Sequence, residues 1–430
     1  MLKICVIGVG VVGSYLAKNL SNEGYEVAVI DKDKEKINEI SKTIDVVAYN
    51  CNAFNEDCIS LVKDYDLFIV ATNSDKTNLA ITLILRAVLG KKKILVRVND
   101  DTLSKPEIEK FLGIEIFNAF SEVLKVINNI IKYPFISSLY ELEDGDLILF
   151  TYKVNKKDKL FNKKLVQFKE IREKLPFTIA LIEREGEKLI PTGNTVLKEG
   201  DVVYILIEKD NLNKFIKEFN LPNRETKNIF ILGYSKLTLK ILEELTKQKK
   251  LKIKFFDGDL SKCELVAEKY PNVLVLNSKL TDEEFLKSEN IGNADLVISS
   301  SSSEEGILAC ILAKQLGAKK VIAMLEQPEL EKLVYSLGID VPIVSRKLLA
   351  RKVYKKIKHR GFLDTFELSD DINIFEIYVN ESLAGKKVYE ISKKNFVILS
   401  IERDGKLMIV HGNTVLKKND ILIVLQKDDG

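Results

Sequence analysis

The sequence predicts an α/β protein of two doubly wound parallel-sheet domains, each followed by a small α+β module. Three observations carry this. Short apolar strands alternate with amphipathic helices, a glycine turn joins the first strand to the first helix, and the whole arrangement then occurs a second time. A chain of 430 residues also exceeds one ordinary core, so several domains are expected.

The first strand is Leu2-Lys3-Ile4-Cys5-Val6-Ile7, followed by Gly8-Val9-Gly10-Val11-Val12-Gly13 and a helix over 14–21. A second strand over 27–30 ends at Asp31, and amphipathic helices are expected over 32–42 and 77–89. Buried strands over 66–70 and 94–98 complete the alternation, and parallel units with right-handed crossovers follow from it. The unit closes with a helix over 121–132 that starts at Ser121, a residue suited to capping.

The following stretch loses that rhythm. Strands are expected over 146–154, 177–183 and 202–207, with a polar helix over 163–173. Within it, Ile182-Glu183-Arg184-Glu185-Gly186 and Gly193-Asn194-Thr195-Val196-Leu197-Lys198 lead to Asp201. Ile401-Glu402-Arg403-Asp404-Gly405 and Gly412-Asn413-Thr414-Val415-Leu416-Lys417 lead to Asp420, each position displaced by 219 residues without a gap. The earlier segments pair as well, residues 3–12 with 228–237 and 66–70 with 295–299. The expected order is a sheet domain over 1–120, a crossover helix over 121–134 and an α+β module over 135–219. The second set is a sheet domain over 225–344, a crossover helix over 345–361 and a module over 362–430.

The glycine turn carries the chemistry. In GxGxxG, the first glycine permits the tight turn and the second lets a pyrophosphate approach the backbone. The third lets helix and strand pack closely, and the helix N-terminus faces the phosphates. Asp31 lies 21 residues beyond Gly10, where a carboxylate accepts both hydroxyls of an adenosine ribose and repels a 2′-phosphate. A Rossmann-like site for NAD or NADH is therefore expected. In the second copy Gly233-Tyr234-Ser235-Lys236-Leu237-Thr238 keeps only the first glycine, although Asp257 still ends the second strand. That site is expected to be weak or absent.

Charge and composition narrow the rest. Sixty-six basic and 63 acidic side chains leave a net charge of +3, which disfavours a nucleic-acid binder. No apolar run is long enough to span a bilayer, and no room precedes the first strand for a signal peptide. A cytoplasmic protein, peripheral at most on the inner face of the membrane, is expected. The five cysteines show no CxxC spacing and read as core-filling thiols of a reducing compartment. The two histidines, His359 and His411, read as solvated, and the basic run from Lys352 to Arg360 reads as the solvated end of a helix. With no nucleophile, metal or Walker signature, an NAD-dependent oxidoreductase is the alternative rather than the first reading.

Taken together, Gly8 to Gly13 with Asp31, the run Ala71-Thr72-Asn73-Ser74-Asp75-Lys76-Thr77-Asn78, Arg97 and the paired module motifs resemble one family. It is that of the TrkA-type regulatory subunits of potassium uptake systems, tandem-RCK proteins also described by KTN and TrkA-C domains. The resemblance covers essentially the whole chain. It implies Rossmann-like RCK N-terminal domains that bind NAD, NADH, ATP or ADP, and RCK C-terminal domains that build dimer contacts or take other ligands. It also implies a homo-oligomer, by family habit a tetramer, docked on a separate potassium-translocating membrane pore. Carried over, Ile7, Gly8, Val9, Gly10 and Val11 with Val12 and Gly13 hold the phosphates, and Asp31 holds the ribose. Thr72 and Asn73 line the crevice, and Arg97 lies near phosphate or an interface. Where many relatives have Gly-Asp-Ala this chain has Cys51-Asn52-Ala53, so Asn52 meets the adenine without a charge. Gly233 and Asp257 are the corresponding residues of the second copy.

Overall fold

The computed structural model describes residues 2–100, 102–142, 146–222, 224–357, 372–391 and 395–427. The first sheet domain comprises β1 (Lys3–Ile7), α1 (Val11–Asn22), β2 (Glu26–Asp31), α2 (Lys34–Thr43), β3 (Val47–Asn50) and α3 (Glu56–Ser60). It continues with β4 (Leu67–Val70), α4 (Asp75–Leu89), β5 (Lys93–Arg97), α5 (Pro106–Leu112), β6 (Glu115–Phe117) and α6 (Ala119–Lys132). The first module follows with β7 (Ile136–Leu142), β8 (Leu147–Lys153), α7 (Lys169–Lys174), β9 (Phe177–Arg184), β10 (Glu187–Leu189), β11 (Val202–Glu208) and α8 (Leu212–Glu218).

The second sheet domain repeats the first: β12 (Asn228–Leu232), α9 (Lys236–Leu245), β13 (Lys252–Asp257), α10 (Leu260–Lys269), β14 (Leu274–Asn277) and α11 (Glu283–Ser288). Then come β15 (Leu296–Ser299), α12 (Glu304–Gln315), β16 (Val321–Leu325), α13 (Glu331–Ser336), β17 (Val341–Val344) and α14 (Ser345–Ile357). The second module contains β18 (Ile372–Tyr378), α15 (Val388–Ile391), β19 (Phe396–Arg403), β20 (Lys406–Ile409) and β21 (Ile421–Lys427).

Both sheet domains are six-stranded, in the orders β3-β2-β1-β4-β5-β6 and β14-β13-β12-β15-β16-β17, and all their pairings are parallel. The order reverses between β1 and β4, so a crevice opens at the carboxyl ends of those two strands. The modules are antiparallel sheets ordered β10-β9-β11-β8-β7 and β18-β21-β19-β20. The fold is thus two Rossmann-like domains alternating with two small α+β domains.

A parallel sheet must be covered on both faces, and here the covering is exchanged. Ile4, Val6, Val27 and Val29 face α1 and α2 together with Leu349, Ala350, Val353 and Ile357 of α14, which belongs to the second half of the chain. Reciprocally, Val123, Ile127, Ile130 and Ile131 of α6 pack on Ile229, Ile231, Ile241 and Leu242 of the second domain. The opposite face of the first sheet, with Cys5, Ile7, Ala28 and Val70, is closed by α3, α4 and α5. The two modules join their sheets face to face through Leu149, Leu181 and Leu206 against Ile374, Leu399 and Leu425. Among the described residues no helix is long and apolar enough to cross a membrane.

Several sequence expectations need correction. Ser121 does not cap α6; the helix starts earlier, and the Asn118 side chain accepts from the N–H groups of Phe120 (2.8 Å) and Ser121 (3.2 Å). The polar helix expected over 163–173 is a short 3-10 turn, Leu165–Phe168, leading into α7. The basic run on α14 is not simply solvated. Lys352 pairs with Glu122 at 2.9 Å, Lys356 with Glu115 at 2.7 Å, and Arg351 stands over the Tyr140 ring. His359 and Arg360 lie outside the described residues. Cys5, Cys263 and Cys310 are buried thiols as expected, but Cys51 and Cys58 form a disulfide, with Cα atoms 5.9 Å apart. The placement of α3 across the end of β3 brings them together.

Candidate functional site

The first crevice is built from backbone. Gly8, at φ +99°, donates its N–H to Ile30 O at 2.8 Å, and a Cβ there would lie 2.8 Å from Thr72 Cγ2. A Cβ on Gly13 would lie 1.8 Å from Gly8 O, so no side chain fits between α1 and β1. Gly10 differs: its backbone is extended and a Cβ would make only ordinary contact, 3.6 Å from Asn73 Oδ1. Neither strain nor crowding within the protein explains this glycine, and its bare backbone faces the crevice. Gly10 is also the N-cap of α1 and gives no side-chain cap. The opening N–H groups of α1 are therefore left for an outside acceptor, at the positive end of the helix dipole.

Asp31 ends β2 beside this turn. Its Oδ2 accepts from Val9 N–H at 2.7 Å and its Oδ1 from Asp33 N–H at 2.9 Å. Each oxygen retains a second lone pair for a hydroxyl donor. Thus Asp31 shapes the glycine loop as well as presenting a carboxylate. Ile7 and Val9 are buried beneath the loop, Val12 packs inward, and Val11 is 65% exposed at its rim.

The β4–α4 turn forms the opposite wall. Thr72 sits against Gly8, and Asn73 against Gly10. Arg97, at the end of β5, donates from Nη1 toward Asn73 Oδ1 at a long 3.5 Å. Burial lowers the Arg97 pKa while nearby Asp75 opposes that shift, and its Nε is buried without a hydrogen-bond partner. A partly desolvated guanidinium whose Nη1 stands beside Asn73, the residue that borders Gly10, suits a phosphate anion. Asn78 was not among the residues expected to form the site, yet it organises this wall. Fully buried, it accepts from Thr72 N–H (2.9 Å) and from the Thr72 hydroxyl, and donates to Thr72 O (3.2 Å) and Arg97 O (2.9 Å). Asp75 adds a second tie, its Oδ2 accepting from Asn99 and Asp100 N–H at 3.0 and 2.9 Å. Asn52 is exposed beyond β3, its Oδ1 accepting from Phe54 N–H at 3.1 Å, so the structure places it on the rim and not within the glycine crevice.

The second copy keeps the frame and fills the crevice. Gly233, at φ +83°, donates to Phe256 O, and Asp257 accepts from Tyr234 and Asp259 N–H at 2.6 and 2.8 Å, as Asp31 does. Here, however, α9 is capped by its own side chains. Ser235 N–H donates to Thr238 Oγ1 at 2.7 Å, and Thr238 N–H donates back to Ser235 Oγ at 3.1 Å. The hydroxyls of Thr238 and Ser300 both donate to Gly233 O, at 2.9 and 2.8 Å. Hydroxyls of the protein thus stand where the first copy offers bare N–H groups.

The motif shared by the modules is structural. Arg184 binds Asp201 through two bonds of 2.8 Å and also donates to Val196 O; Arg403 repeats this with Asp420 and Val415 O. His411 is not a solvated histidine: it is partly buried, its Nδ1 has no partner, and burial, then Arg172, lower its pKa.

Comparison with known proteins agrees with this architecture. The family model described as the TrkA-N domain matches residues 4–116 and 229–345, and the TrkA-C domain matches 149–220 and 374–430. The "Trk system potassium uptake protein TrkA homolog" of Archaeoglobus fulgidus is 28% identical, the match covering 100% of this chain and 98% of that protein. The "Trk system potassium uptake protein TrkA" of Vibrio alginolyticus is 22% identical over 98% of this chain and 95% of its own. Among solved structures, the "GsuK channel bound to NAD" superimposes with a TM-score of 0.65 at 18% identity, covering 99% of this chain and 77% of that one. With two TrkA-N domains alternating with two TrkA-C domains along its length, the chain belongs to the TrkA family.

Proposed function

We propose that this chain is the nucleotide-sensing regulatory subunit of a potassium uptake system, reading NAD or NADH in its first domain to control a separate membrane pore. The observation that carries this is the uncapped N-terminus of α1 at Gly10, flanked by Asp31 on one side and desolvated Arg97 on the other. In this reading the pyrophosphate lies against Gly8 to Gly13, the ribose hydroxyls donate to Asp31, and Arg97 and Asn73 face phosphate. Asn52 meets the edge of the adenine. ATP or ADP competes for the same groove through the shared adenosine and phosphates. The names of the full-length relatives and a neighbour bound to NAD support the assignment.

The dinucleotide acts as a signal, shifting a conformational equilibrium by its differential affinity for two states. The exchanged helices offer the lever. Tyr15 on α1 lies under the Arg346 guanidinium of α14, and Arg346 in turn bonds Glu326 O of the second domain. Movement of α1 on phosphate binding thereby reaches the other half of the chain. Further copies of the chain complete the assembly, by family habit a tetramer, on the inner face of the membrane.

The test is Gly10→Asp. It sets a carboxylate against the phosphates at a position where the protein itself tolerates a Cβ, so the variant should fold normally and lose at least about a hundredfold in NADH affinity. Calorimetric binding like that of the wild type would remove the site from Gly10.

A further inference from the structure

We propose that the Cys51–Cys58 disulfide is a reducible latch on the adenine side of the first nucleotide site, opened by a dithiol reductant. This deepens, and rests on, the reading of the first crevice as the NAD(H) site. Cys51 directly follows β3, Cys58 lies on α3, and their bond closes the arc containing Asn52 and Phe54.

The arc is anchored to the ribose acid. Cys51 N–H and Asn50 Nδ2 both donate to Asp31 O, at 3.2 and 3.1 Å, while the Asp31 carboxylate holds Val9 N–H of the glycine loop. Beyond that anchor the arc is held by its own turns: Phe54 N–H donates to Asn52 Oδ1 at 3.1 Å, and Asn55 N–H to Asn52 O at 2.9 Å. Ala53 and Cys58 are buried, whereas Asn52 and the Phe54 ring are exposed. An amide and an aromatic ring just past the ribose carboxylate are the groups a purine would meet. Among the described residues, the hydrogen bonds that tie this arc to the sheet are at its Cys51 end. The far end runs into α3, where Cys58 and Ile59 N–H donate to Asn55 O at 3.1 and 3.3 Å, and the disulfide joins the two ends directly.

The two sulfurs are unequal. Cys58 is 3% exposed and packs among Ile59, Val62 and Tyr65, whereas Cys51 is partly exposed. An incoming thiolate therefore attacks Cys51 Sγ. The S–S bond breaks, Cys58 leaves as a thiolate and takes a proton, and a mixed disulfide joins Cys51 to the reductant. The reductant's second thiolate then attacks its own sulfur in that bond and releases Cys51, which is protonated in turn. The dithiol is oxidised to a disulfide as Cys51 and Cys58 are reduced to two thiols, with two electrons and two protons transferred. Cys58 can keep its apolar contacts as a thiol, so reduction frees the arc without unfolding the domain. Holding Asn52 and Phe54 against a base then costs ordering entropy that the disulfide had already removed.

The experiment uses the full chain, equilibrated with glutathione disulfide or with dithiothreitol, and titrates it with NADH. Thiol titration and mass spectrometry of the Cys51–Cys58 peptide verify each form, and the buried Cys5, Cys263 and Cys310 supply a constant background. Reduction is expected to weaken NADH binding roughly two- to tenfold, the range for re-ordering one or two side chains. Cys51→Ala, which leaves buried Cys58 in place, should bind as the reduced form does under both conditions. Equal affinity of the two verified forms, or failure of the peptide to oxidise, would overturn the latch. Should NADH bind neither form, the site reading fails, and proteolysis within 52–57 decides the latch. Faster cleavage on reduction supports it and equal cleavage overturns it.

Discussion

Asn78 holds together the wall of the first crevice that faces the glycine turn. Its oxygen serves the Thr72 N–H and hydroxyl, and its amide serves Thr72 O and Arg97 O, so one buried side chain fixes the end of β4 relative to the end of β5. Asn78→Ala strands these groups away from water. The expected cost is about 1–3 kcal/mol in urea unfolding of the first domain, together with weaker NADH binding because Asn73 and Arg97 lose their register. Wild-type stability and affinity in that variant would show that the wall is held otherwise. The second copy has Gly306 here, where a Cβ would come 2.4 Å from Ser299 Oγ, so a different side chain fills the space. The turn of Gly8, Gly10 and Gly13 against Asp31 was legible in the sequence because its form is set by local backbone geometry and a fixed spacing. Asn78 and Arg97 work across turns 19 residues apart, and composition gives no sign of that contact. The Cys51–Cys58 pair was illegible for a similar reason: only the course of the chain between β3 and α3 brings the two together. His411 was misread because its matched residue, Thr192, says nothing of the neighbouring Arg172.

At the scale of elements, α1 and α9 start from the same strand–turn–helix plan and end with opposite chemistry. α1 begins with Gly10 and no cap, whereas α9 begins with Ser235 and Thr238 bonding each other's N–H groups. A phosphate entering the second turn would have to displace bonds the helix already makes, each worth about 0.5–1.5 kcal/mol net. The expected NADH stoichiometry is therefore about one per chain. Asp257→Ala should leave that value and the affinity unchanged, while Asp31→Ala weakens binding by losing both the ribose acceptor and the Val9 tether. Two equivalents per chain in calorimetry, or a loss of one on Asp257→Ala, would sink the self-capped account. The sequence exposed half of this contrast, since the missing glycines were visible but the reciprocal hydroxyl bonds were not. The exchange of α6 and α14 was likewise only half visible. Amphipathicity shows that a helix has an apolar face, but not which of two similar sheets receives it.

Across the whole molecule, the halves are tied by a few buried polar contacts set in apolar surfaces. Lys320, 9% exposed just before β16, donates to Ile136 O of β7 at 2.5 Å and so joins the second sheet domain to the first module. Burial pushes its pKa down to about 8, against the partial support of Asp340. The folded pKa lies below the ordinary 10.5, so between those values the unfolded chain holds a proton that the folded chain has lost. Stability must then rise as pH increases from about 8 toward 10.5, by an order-of-magnitude ~3 kcal/mol, and the full penalty persists below pH 8. Exposed pairs act in the opposite sense: Lys209, held up in pKa by its bond to Glu141, loses its contribution as pH climbs through its raised value. A bare pH profile would mix the two, so the comparison is with Lys320→Met, which keeps the apolar stem and has no proton to lose. The melting temperature of the wild type relative to this variant should climb between pH 7.5 and pH 10. A constant difference across that range would mean that Lys320 stays charged in the folded chain, and that the contact between the second sheet domain and the first module is held by a buried cation.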